Sequence, residues 1–534
     1  MSLQPATFSP LRHAAFRSIW GANFVSGIGT MVQGVGAAWL MTLITDSVDL
    51  VALVQTAVSL PILLFAILGG AIADSFDRRR SMIVAQGFML AASAALAVLT
   101  YLGITNAWSL LACTFLIGCG NAIVNPSWQA TMGDLVPREE LPAAVALNSL
   151  GFNLSRSVGP AFGGAVVAIA GAGAAFALNA VSFVAVIVAL LRWKPATNVA
   201  RMPRETIAGA IFTGLRYVAM SPPVLIILAR CFIFGSTVIA VLALLPVVAQ
   251  QLLGSDALTY GLLLGAYGAG AVGAAVFSSS IRKRLSPEAL VRCAFIGFAV
   301  STALSATSSI WLTALGLIAG GASWVLGQTL FNISVQLSTP RWVVGRALSV
   351  YQTANFGGMA LGSWVWGVLA EQFGIQQALL AASCALLAGA ALGLLMPLPA
   401  ASDSDLSVLD SWKEPETAID LLPRSGPIHI EVVFSILPAD AAEFLVLMNE
   451  RRRIRRRDGA QHWTLLRDLH DPNRWIERYR TPRWVDYVRH NLRRTRNDAG
   501  VNERLRQLHL GPGEPLVRRF IERSAAGHAT TPPV

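Results

Sequence analysis

The sequence predicts a polytopic, all-α membrane protein with a soluble α+β domain at its carboxyl end. Of the 534 residues, 54% are hydrophobic and only 13% are charged. The mean hydropathy of +0.57 is too high for a soluble chain, which needs a polar surface to cover its core. Apolar runs of about 20 residues recur, and each is long enough to cross the membrane as a helix. The strict alternation of a membrane β-barrel is absent from these runs.

Hydropathy divides the first 400 residues into two sets of six segments. The predicted segments are 16–45, 50–73, 81–103, 107–133, 143–170 and 172–191, then 223–251, 257–281, 288–308, 310–337, 346–370 and 375–397. A basic linker separates the two sets. We therefore expect an N-terminal six-helix half over residues 1–200 and a C-terminal half over residues 201–400.

The loops between the segments differ in charge. Lysine and arginine are concentrated on one side, here called the basic side, at 78–80, 138, 192–216, 282–284, 341 and 346. The loops of the opposite side, "TDSVD", "GITNA", "GAG", "GSDA", "SATSS" and "EQFG", contain neither. The positive-inside rule then places the basic side and both termini in the cytoplasm, in a cytoplasmic (inner) membrane. We interpret the basic amino terminus as a cytoplasmic lead-in and not as a cleaved signal peptide.

The two halves resemble each other in sequence. Aligning "VPREELPAAVALNSLGFNLSRSVGPAFGG" from Val136 with "TPRWVVGRALSVYQTANFGGMALGSWVWG" from Thr339 superposes a series of identical residues. The matched pairs are Pro137 with Pro340, Arg138 with Arg341, Ala144 with Ala347, Gly159 with Gly362 and Gly164 with Gly367. Transporters built from related halves show such repeats and bind substrate between the halves.

A motif between the second and third segments carries a family resemblance. In "GGAIADSFDRRR", Gly70, Asp74, Arg78 and Arg79 match the loop signature of the major facilitator superfamily, which the chain resembles. Ser75 replaces a basic residue of the pattern and Asp77 replaces a glycine. We expect a gating loop in which Asp74 pairs with neighbouring helix ends and the arginines bind anionic lipid headgroups. Alternatively, the arginines only set the topology.

A second signature lies in "NLSRSVGPAFGG", residues 153–164. Ser155, Gly159, Pro160, Gly163 and Gly164 are similar to the fifth-helix pattern of the superfamily's exporters. Small residues allow close helix packing, and Pro160 removes one backbone hydrogen bond. Most of residues 12–400 resemble the branch of enterobactin-type siderophore exporters and secondary-metabolite effluxers. That resemblance implies export of a siderophore, secondary metabolite or drug-like molecule, with proton antiport.

Arg156 is a cation inside a predicted membrane segment, and its position needs an explanation. It lies about 13 residues into its segment, and at 1.5 Å per residue this is about 20 Å from the start. Facing lipid would cost about 3 kcal/mol or more, and no Asp or Glu lies at the same depth. We expect Arg156 either to face an aqueous cavity that binds an anionic or phenolate-bearing substrate, or to bond to helix carbonyls.

Polar residues cluster at similar depth. Residues four apart share one helix face, which applies to two sets in the fourth and tenth segments. The predicted cavity residues besides Arg156 are Asn121, Asn125, Gln129, Asn153, Gln328, Asn332, Gln336, Tyr351, Gln352 and Asn355. Asn148 belongs to the same group, and Asn23 and Gln33 are weaker candidates. The alternative role is interhelical hydrogen bonding, worth about 0.6 kcal/mol a bond.

The sequence indicates no cofactor and no metal site. The five cysteines lack ligand or redox spacing and are interpreted as packing residues. Proton-coupled transporters commonly use a carboxylate inside the membrane, and none is apparent here. Asp74, Asp134 or the substrate itself remain as candidate proton carriers.

The composition changes after Pro399. Residues 401–426 form a polar linker, and residues 427–534 are predicted to be a soluble β-α-β-β-α-β domain. This domain is ferredoxin-like and resembles the dimeric α/β-barrel domain of antibiotic-biosynthesis monooxygenases, which implies possible self-association. The histidines fit no metal or haem ligand set. "RRRIRRR" at 451–457 is interpreted as a solvated or lipid-facing run, and not as a nucleic-acid site.

The leading hypothesis is a secondary exporter of small organic molecules that works by alternating access, and not an enzyme. An uptake permease is the rival within the same class. A membrane-tethered enzyme or scaffold, acting through the C-terminal domain, is the rival from another class.

Overall fold

The structure is a computed structural model of the chain. It describes residues 8–75, 77–137, 140–194, 207–282, 284–340, 342–399, 412, 414–493, 495–510 and 513–523. The chain divides into two compact units. The first comprises 1–207, 226–334 and 348–398, and the second comprises 208–225, 335–347 and 399–534.

Long helices make up the first 400 residues. They are α1 Ala14–Ile44, α2 Val48–Ser75, α3 Arg78–Tyr101, α4 Ala107–Leu135, α5 Leu141–Arg192, α6 Ile207–Ala219, α7 Pro222–Val247, α8 Ala257–Arg282, α9 Pro287–Ser305, α10 Ile310–Leu337, α11 Val344–Phe373 and α12 Ile375–Leu395. In the described part of the chain, ten helices are long and apolar enough to cross a membrane. The chain is therefore mostly helical, as predicted.

Helix α5 is bent at one glycine. Gly171 has φ 79° and ψ 171°, a left-handed region that favours glycine because it has no Cβ. A straight helix of 52 residues would be about 78 Å long, more than twice the thickness of the hydrocarbon layer. The bend separates arms at 141–170 and 172–192, at the position where the sequence predicts one segment to end and the next to begin.

Within each half, different chemistry holds the helices together. In the first half, Gln33 of α1 accepts hydrogen bonds from Ser93 of α3 at 2.7 Å and from Asn179 of α5. All three side chains are buried. Gln33, a weaker candidate for cavity lining, therefore lies in a bonded cluster. In the second half, Phe234 of α7 packs against aromatic rings of α9 and α10, namely Phe295, Phe298, Trp324 and Phe331.

The two halves meet along two seams lined by glycine. In the first seam, α5 packs on α8, and a Cβ added to Gly164 would lie 2.8 Å from the Cα of Gly261. In the second seam, α11 packs on α2, and a Cβ added to Gly367 would lie 2.6 Å from the Cβ of Ala52. The repeat pairs Gly164 with Gly367, so equivalent residues make equivalent close contacts.

The second unit contains a four-stranded antiparallel sheet. Its strands are β1 Ile428–Ser435, β2 Gln461–Arg467, β3 Arg474–Thr481 and β4 Leu516–Ile521, in the order β2-β3-β1-β4. Helices α13 Ala441–Asp458, α14 Trp484–Leu492 and α15 Arg496–Gln507 lie between strands in the chain. Helix α15 was not predicted from the sequence. The apolar core includes alternate residues of β1 and one face of α13, among them Ile430, Phe434, Phe444 and Leu447.

The arginine run of α13 is only partly solvated. Arg451 and Arg455 are buried and donate to Glu477 of β3, at 2.9 and 3.3 Å. Arg457 bonds Asp498 of α15 at 2.9 Å. The interpretation of 451–457 as a solvated or lipid-facing run is therefore wrong for Arg451 and Arg455, because this face of the helix supplies the cations of a buried ion cluster. Arg452, Arg453 and Arg456 are exposed.

The second unit also holds α6 and the turn between α10 and α11. Helices α6 and α13 cap each other at their carboxyl ends: Arg453 donates to the carbonyl of Met220 at 3.4 Å, and Arg216 donates to that of Arg457 at 3.3 Å. Tyr217 of α6 packs edge-on against Trp342 of the turn. Burial raises the pKa of Tyr217 to about 12. The second unit thus combines the C-terminal domain with two short segments, 208–225 and 335–347.

Candidate functional site

Arg156 of α5 lies where the first seam ends. Its guanidinium carbon is 5.9 Å from the ring centroid of Tyr267 in α8 and 5.4 Å from that of Trp324 in α10. Both rings are buried and belong to the other half. Arg156 itself is half-buried. Cations are attracted to aromatic faces at this range, so the structure gives Arg156 two aromatic partners in the other half.

Close backbone packing brings Arg156 to these rings. A Cβ added to Gly268 of α8 would lie 2.4 Å from the Cα of Ser157 and 2.9 Å from the carbonyl oxygen of Arg156. Such distances exclude any side chain at 268 without a shift of the backbone. The contact between the halves therefore continues along the helices to the depth of Arg156.

Three predicted cavity residues of the second half bond to each other. Tyr351 of α11 donates its hydroxyl to Oε1 of Gln328 in α10, and Gln328 donates Nε2 to Oδ1 of Asn355 at 2.7 Å. Cys231 of α7 lies 3.6 Å from the same Asn355 oxygen. Tyr351 and Asn355 are buried. The structure brings this trio together as an interhelical cluster in which their polar groups are paired.

The polar residues of the first half are more accessible. Asn125 and Gln129 of α4 are exposed, and Asn121 and Asn153 are half-buried. Asn153 donates to the carbonyl of Ser149 in its own helix at 2.9 Å. Asn148 accepts from the indole of Trp128 at 2.8 Å.

In the second half Gln336 and Gln352 are exposed and Asn332 is half-buried. The polar residues of both halves lie at the middle of their helices or nearer the basic end.

The predicted gating loop bonds within its own half. Arg79 donates to the carbonyls of Leu190 and Leu191 at 2.7 and 2.8 Å, and so caps the carboxyl end of α5. Arg78 pairs with Asp134 at the end of α4, at 2.9 Å. Gly70 lies in α2, while the side chain of Asp74 lies outside the described residues. Pairing of Asp74 with neighbouring helix ends stays a prediction.

The predicted packing signature contacts two different helices. Added Cβ atoms at Gly159 and Gly163 would lie 2.6 Å from Met31 and 2.9 Å from Val32, both in α1. Gly164 instead faces α8, and the carbonyl of Pro160 lies 2.7 Å from a Cβ added to Gly261. One turn of α5 thus packs on its own half through two glycines and on the other half through the third.

Two features, one at Arg156 and one at the beginning of α9, were not found from sequence. Tyr267 and Trp324 stand in predicted segments, and an aromatic residue there is ordinary core, so nothing marked them as partners of Arg156. A buried ion pair joins Arg230 of α7 to Glu288 of α9, which also accepts from the backbone amide of Leu398 at 2.9 Å. Glu288 and Arg292, four residues apart, were a readable signal for this second network.

A separate cavity of about 240 Å³ lies on the opposite side. Its lining includes Thr42, Asp46, Val48 and Gln250, and none of the predicted cavity residues. Among the described side chains, no group of three or more His, Cys, Asp or Glu residues is placed to hold a metal ion. Among the described residues, the predicted site therefore offers the guanidinium of Arg156, the rings of Tyr267 and Trp324, and neutral polar side chains.

Comparison with known proteins adds independent information. The sequence profile of a family described as transmembrane secretion effector matches residues 5–526. An uncharacterized MFS-type transporter of Bacillus subtilis strain 168, YfiS, is 26% identical over 352 residues, covering 63% of this chain and 82% of that protein. The enterobactin exporter EntS of Salmonella typhi is 25% identical over 362 residues, covering 67% of this chain and 86% of that protein.

Solved transporter structures resemble this chain over about 70% of its length. The in meso crystal structure of the POT family transporter PepTSo superposes with a TM-score of 0.59 at 12% identity, covering 72% of this chain and 97% of that one. An inward-facing, occupied bacterial homolog of the human lysosomal transporter Spinster gives a TM-score of 0.58 at 12% identity, covering 73% of this chain and 97% of that one. At this identity the likeness concerns the fold alone.

Proposed function

We propose, from the premise that this chain belongs to the transmembrane secretion effector family, that it exports a small organic molecule by alternating access. The chain is a multi-pass membrane transporter of the MFS type, and its likeness to enterobactin exporters favours efflux. The observation that carries the proposal is the position of Arg156. Its cation lies at mid-depth, between the halves. In alternating access, a substrate bound there is exposed first to one side of the membrane and then to the other.

Twelve crossings give the topology that alternating access needs. The ten apolar helices count α5 once and omit α11. We count the arms of α5 at 141–170 and 172–192 separately, and we add α11, whose 30 residues span about 45 Å. The lower hydropathy of α11 follows from the polar residues that it turns toward the other helices. The halves then have six crossings each, and both termini lie on the basic, cytoplasmic side.

The substrate site lies between Arg156 and the basic side. Exposed amides of α4 and α11, such as Asn125, Gln129 and Gln352, extend from the arginine toward that side. In a membrane protein, polar side chains at this depth face a wet cavity or protein and not lipid. An anionic or phenolate-bearing molecule, in the class of siderophores, secondary metabolites or drug-like compounds, would pair with the guanidinium and stack on the nearby rings.

Proton antiport is the coupling that the family resemblance implies. The side chain of Asp134 pairs with Arg78 on the basic side, where a proton exchanges with the cytoplasm. Asp134, Asp74 or titratable groups of the substrate carry the proton in this scheme. We propose no catalytic role for any residue.

The C-terminal domain is proposed to be ferredoxin-like and to self-associate. Its strand order β2-β3-β1-β4 is the order that a β-α-β-β-α-β chain adopts when its sheet is fully antiparallel. One row of the sheet aligns Leu466, Ile476, Val433 and Leu516 across all four strands. Leu466 and Leu516 are exposed, so a second copy of this face would cover the row.

Inverted membrane vesicles test the direction of transport. Vesicles that contain the chain are offered enterobactin from outside, with an imposed proton gradient, with the gradient collapsed, and beside vesicles without the chain. Export predicts uptake into inverted vesicles that depends on both the chain and the gradient. Equal uptake in all three preparations would refute the proposal for this substrate. Uptake only into right-side-out vesicles would indicate a permease.

A further inference from the structure

On the opposite side, a carboxylate near the end of one helix contacts the beginning of a helix in the other half. Glu371, in the last turn of α11, accepts a hydrogen bond at Oε2 from the backbone amide of Val48 at 2.6 Å. Val48 is the first residue of α2, and α2 belongs to the other half. We propose that this contact is a latch that holds the opposite side of the transporter closed, an inference that rests on the proposed alternating access.

The location of Glu371 is unfavourable for its own helix. A helix carries partial negative charge at its carboxyl end, so an acidic residue in the last turn destabilises that helix. The amino end of α2 carries the complementary positive charge and free amides. The Val48 amide has no partner inside α2, because the first backbone bond of the helix runs from Val51 to Ser47. The favourable interaction of Glu371 is therefore made across the seam.

The latch continues the second seam outward. One turn before Glu371, a Cβ added to Gly367 would lie 3.1 Å from the Cα of Asp49. Deeper, Thr56 of α2 lies 2.7 Å from the hydroxyl of Ser363 and donates to the carbonyl of Ala360 at 3.1 Å. Opening the opposite side has to break these contacts, and the charge-assisted bond of Glu371 is the strongest type among them.

The latch exists in one copy. The sequence repeat that pairs Gly164 with Gly367 places Ala168 at the position equivalent to Glu371. The first seam therefore closes through backbone packing, while the second seam adds a charge. Glu371 is exposed, so water reaches the carboxylate and competes for the bond as soon as the helices part.

Two substitutions remove the bond from its two ends. Glu371→Ala deletes the acceptor. Val48→Pro deletes the donor, and proline is well tolerated at the first residue of a helix because the amide there is not used. The matched controls are Gln372→Ala, at the exposed neighbour of Glu371, and Val48→Thr, which keeps both the amide and the branched shape.

Spin-label distances measure the state of the opposite side directly. Labels on cysteines placed at Ile169 and Trp311, which are 86% and 82% exposed on that side in the two halves, are introduced into the full chain after replacement of its five cysteines. In lipid nanodiscs, Glu371→Ala and Val48→Pro should each raise the ratio of long to short distances by about threefold to tenfold. The double variant should exceed neither single variant, and the controls should match the parent.

The outcomes separate the latch from the proposed function. Unchanged distances in both latch variants would overturn the inference, whatever the transport assay shows. If one variant fails to fold, by its elution in size-exclusion chromatography, the other variant decides. A shift in distances together with no transport by the parent chain would retain the latch and refute the exporter.

Discussion

The guanidinium carbon of Arg156 lies 5.4 Å from the ring centroid of Trp324, in the opposite half of the transporter. This contact connects the helix-packing signature of α5, which contains Arg156, with a buried aromatic residue of α10. A cation on an aromatic face keeps part of its attraction for an anion, because the ring neutralises no charge. Arg156 can therefore hold the halves together and still bind a negatively charged substrate.

The first prediction concerns the charge and shape of Arg156. Arg156→Gln should reduce export to the level of vesicles without the chain, while the amount of protein in the membrane stays unchanged. Arg156→Lys keeps the charge but loses the planar group that lies on the rings, so we expect a rate about tenfold lower. Gradient-driven uptake into inverted vesicles is the measurement, and Arg192→Gln, at an exposed arginine of α5, is the control. Wild-type rates for Arg156→Gln would limit the residue to packing.

The second prediction concerns the closest point of the first seam. Gly268→Ala would place a Cβ 2.4 Å from the Cα of Ser157, which is backbone and cannot rotate away. We expect the halves to separate locally and transport to fall by about tenfold or more, because a shift near 1 Å at a site is costly. In the same helix, Gly273→Ala meets nothing within 4 Å and should behave as wild type. Equal effects of the two substitutions would mean that helix propensity, and not the seam, is responsible.

The sequence repeat predicted more of the packing than of the site. Gly164 and Gly367, paired by alignment, each contact the other half, and Gly159 and Gly362 each pack on the first helix of their own half, against Met31 and Ser236. Backbone contacts of this kind depend on residue size alone, which the sequence displays. The break of α5 at Gly171 was also readable, because the apolar run is too long for one crossing and the small residues of "GAG" interrupt it.

Side-chain partners were less predictable, because they depend on tertiary geometry. Polarity and depth indicated that Tyr351, Gln328 and Asn355 belong inside the bundle, but not that they would bond to each other. The arginine run of 451–457 gave no sign that Arg451 and Arg455 point at Glu477. The missed helix α15 had a readable start, a capping box between Thr495 and Asp498, but few apolar residues to show its period.

The third prediction concerns Arg79 of the loop motif. Arg79 donates two hydrogen bonds to the carbonyls of Leu190 and Leu191 at the carboxyl end of α5. A positive charge at that end of a helix is favourable. Arg79→Gln should lower the free energy of unfolding by about 1–2 kcal/mol. Thermal unfolding in detergent would show this as a lower midpoint, whereas Arg80→Gln, at the exposed neighbouring arginine, should leave the midpoint unchanged. An unchanged midpoint for Arg79→Gln would leave the motif with a role in topology or lipid binding.

The last prediction concerns acid and the buried cluster of the C-terminal domain. Burial alone would raise the pKa of Glu477, but the guanidiniums of Arg451 and Arg455 and the indole of Trp463 more than offset it and hold the pKa below its ordinary value of 4.5. A lowered pKa in the folded state means that the stabilisation is complete above pH 4.5 and is lost as the pH falls through the folded-state value. The hydrogen-exchange protection factors of residues 428–521 in the full chain, which correct for the pH dependence of the intrinsic exchange rate, should therefore fall only below about pH 4.5. Glu477→Gln leaves two buried cations without a counter-charge, so at pH 7 it should destabilise the domain by about 3–5 kcal/mol. Glu443→Gln breaks only an exposed pair with Arg504 and should cost less than about 1 kcal/mol. Similar exchange rates in these two variants at pH 7 would show that the buried cluster does not stabilise the domain.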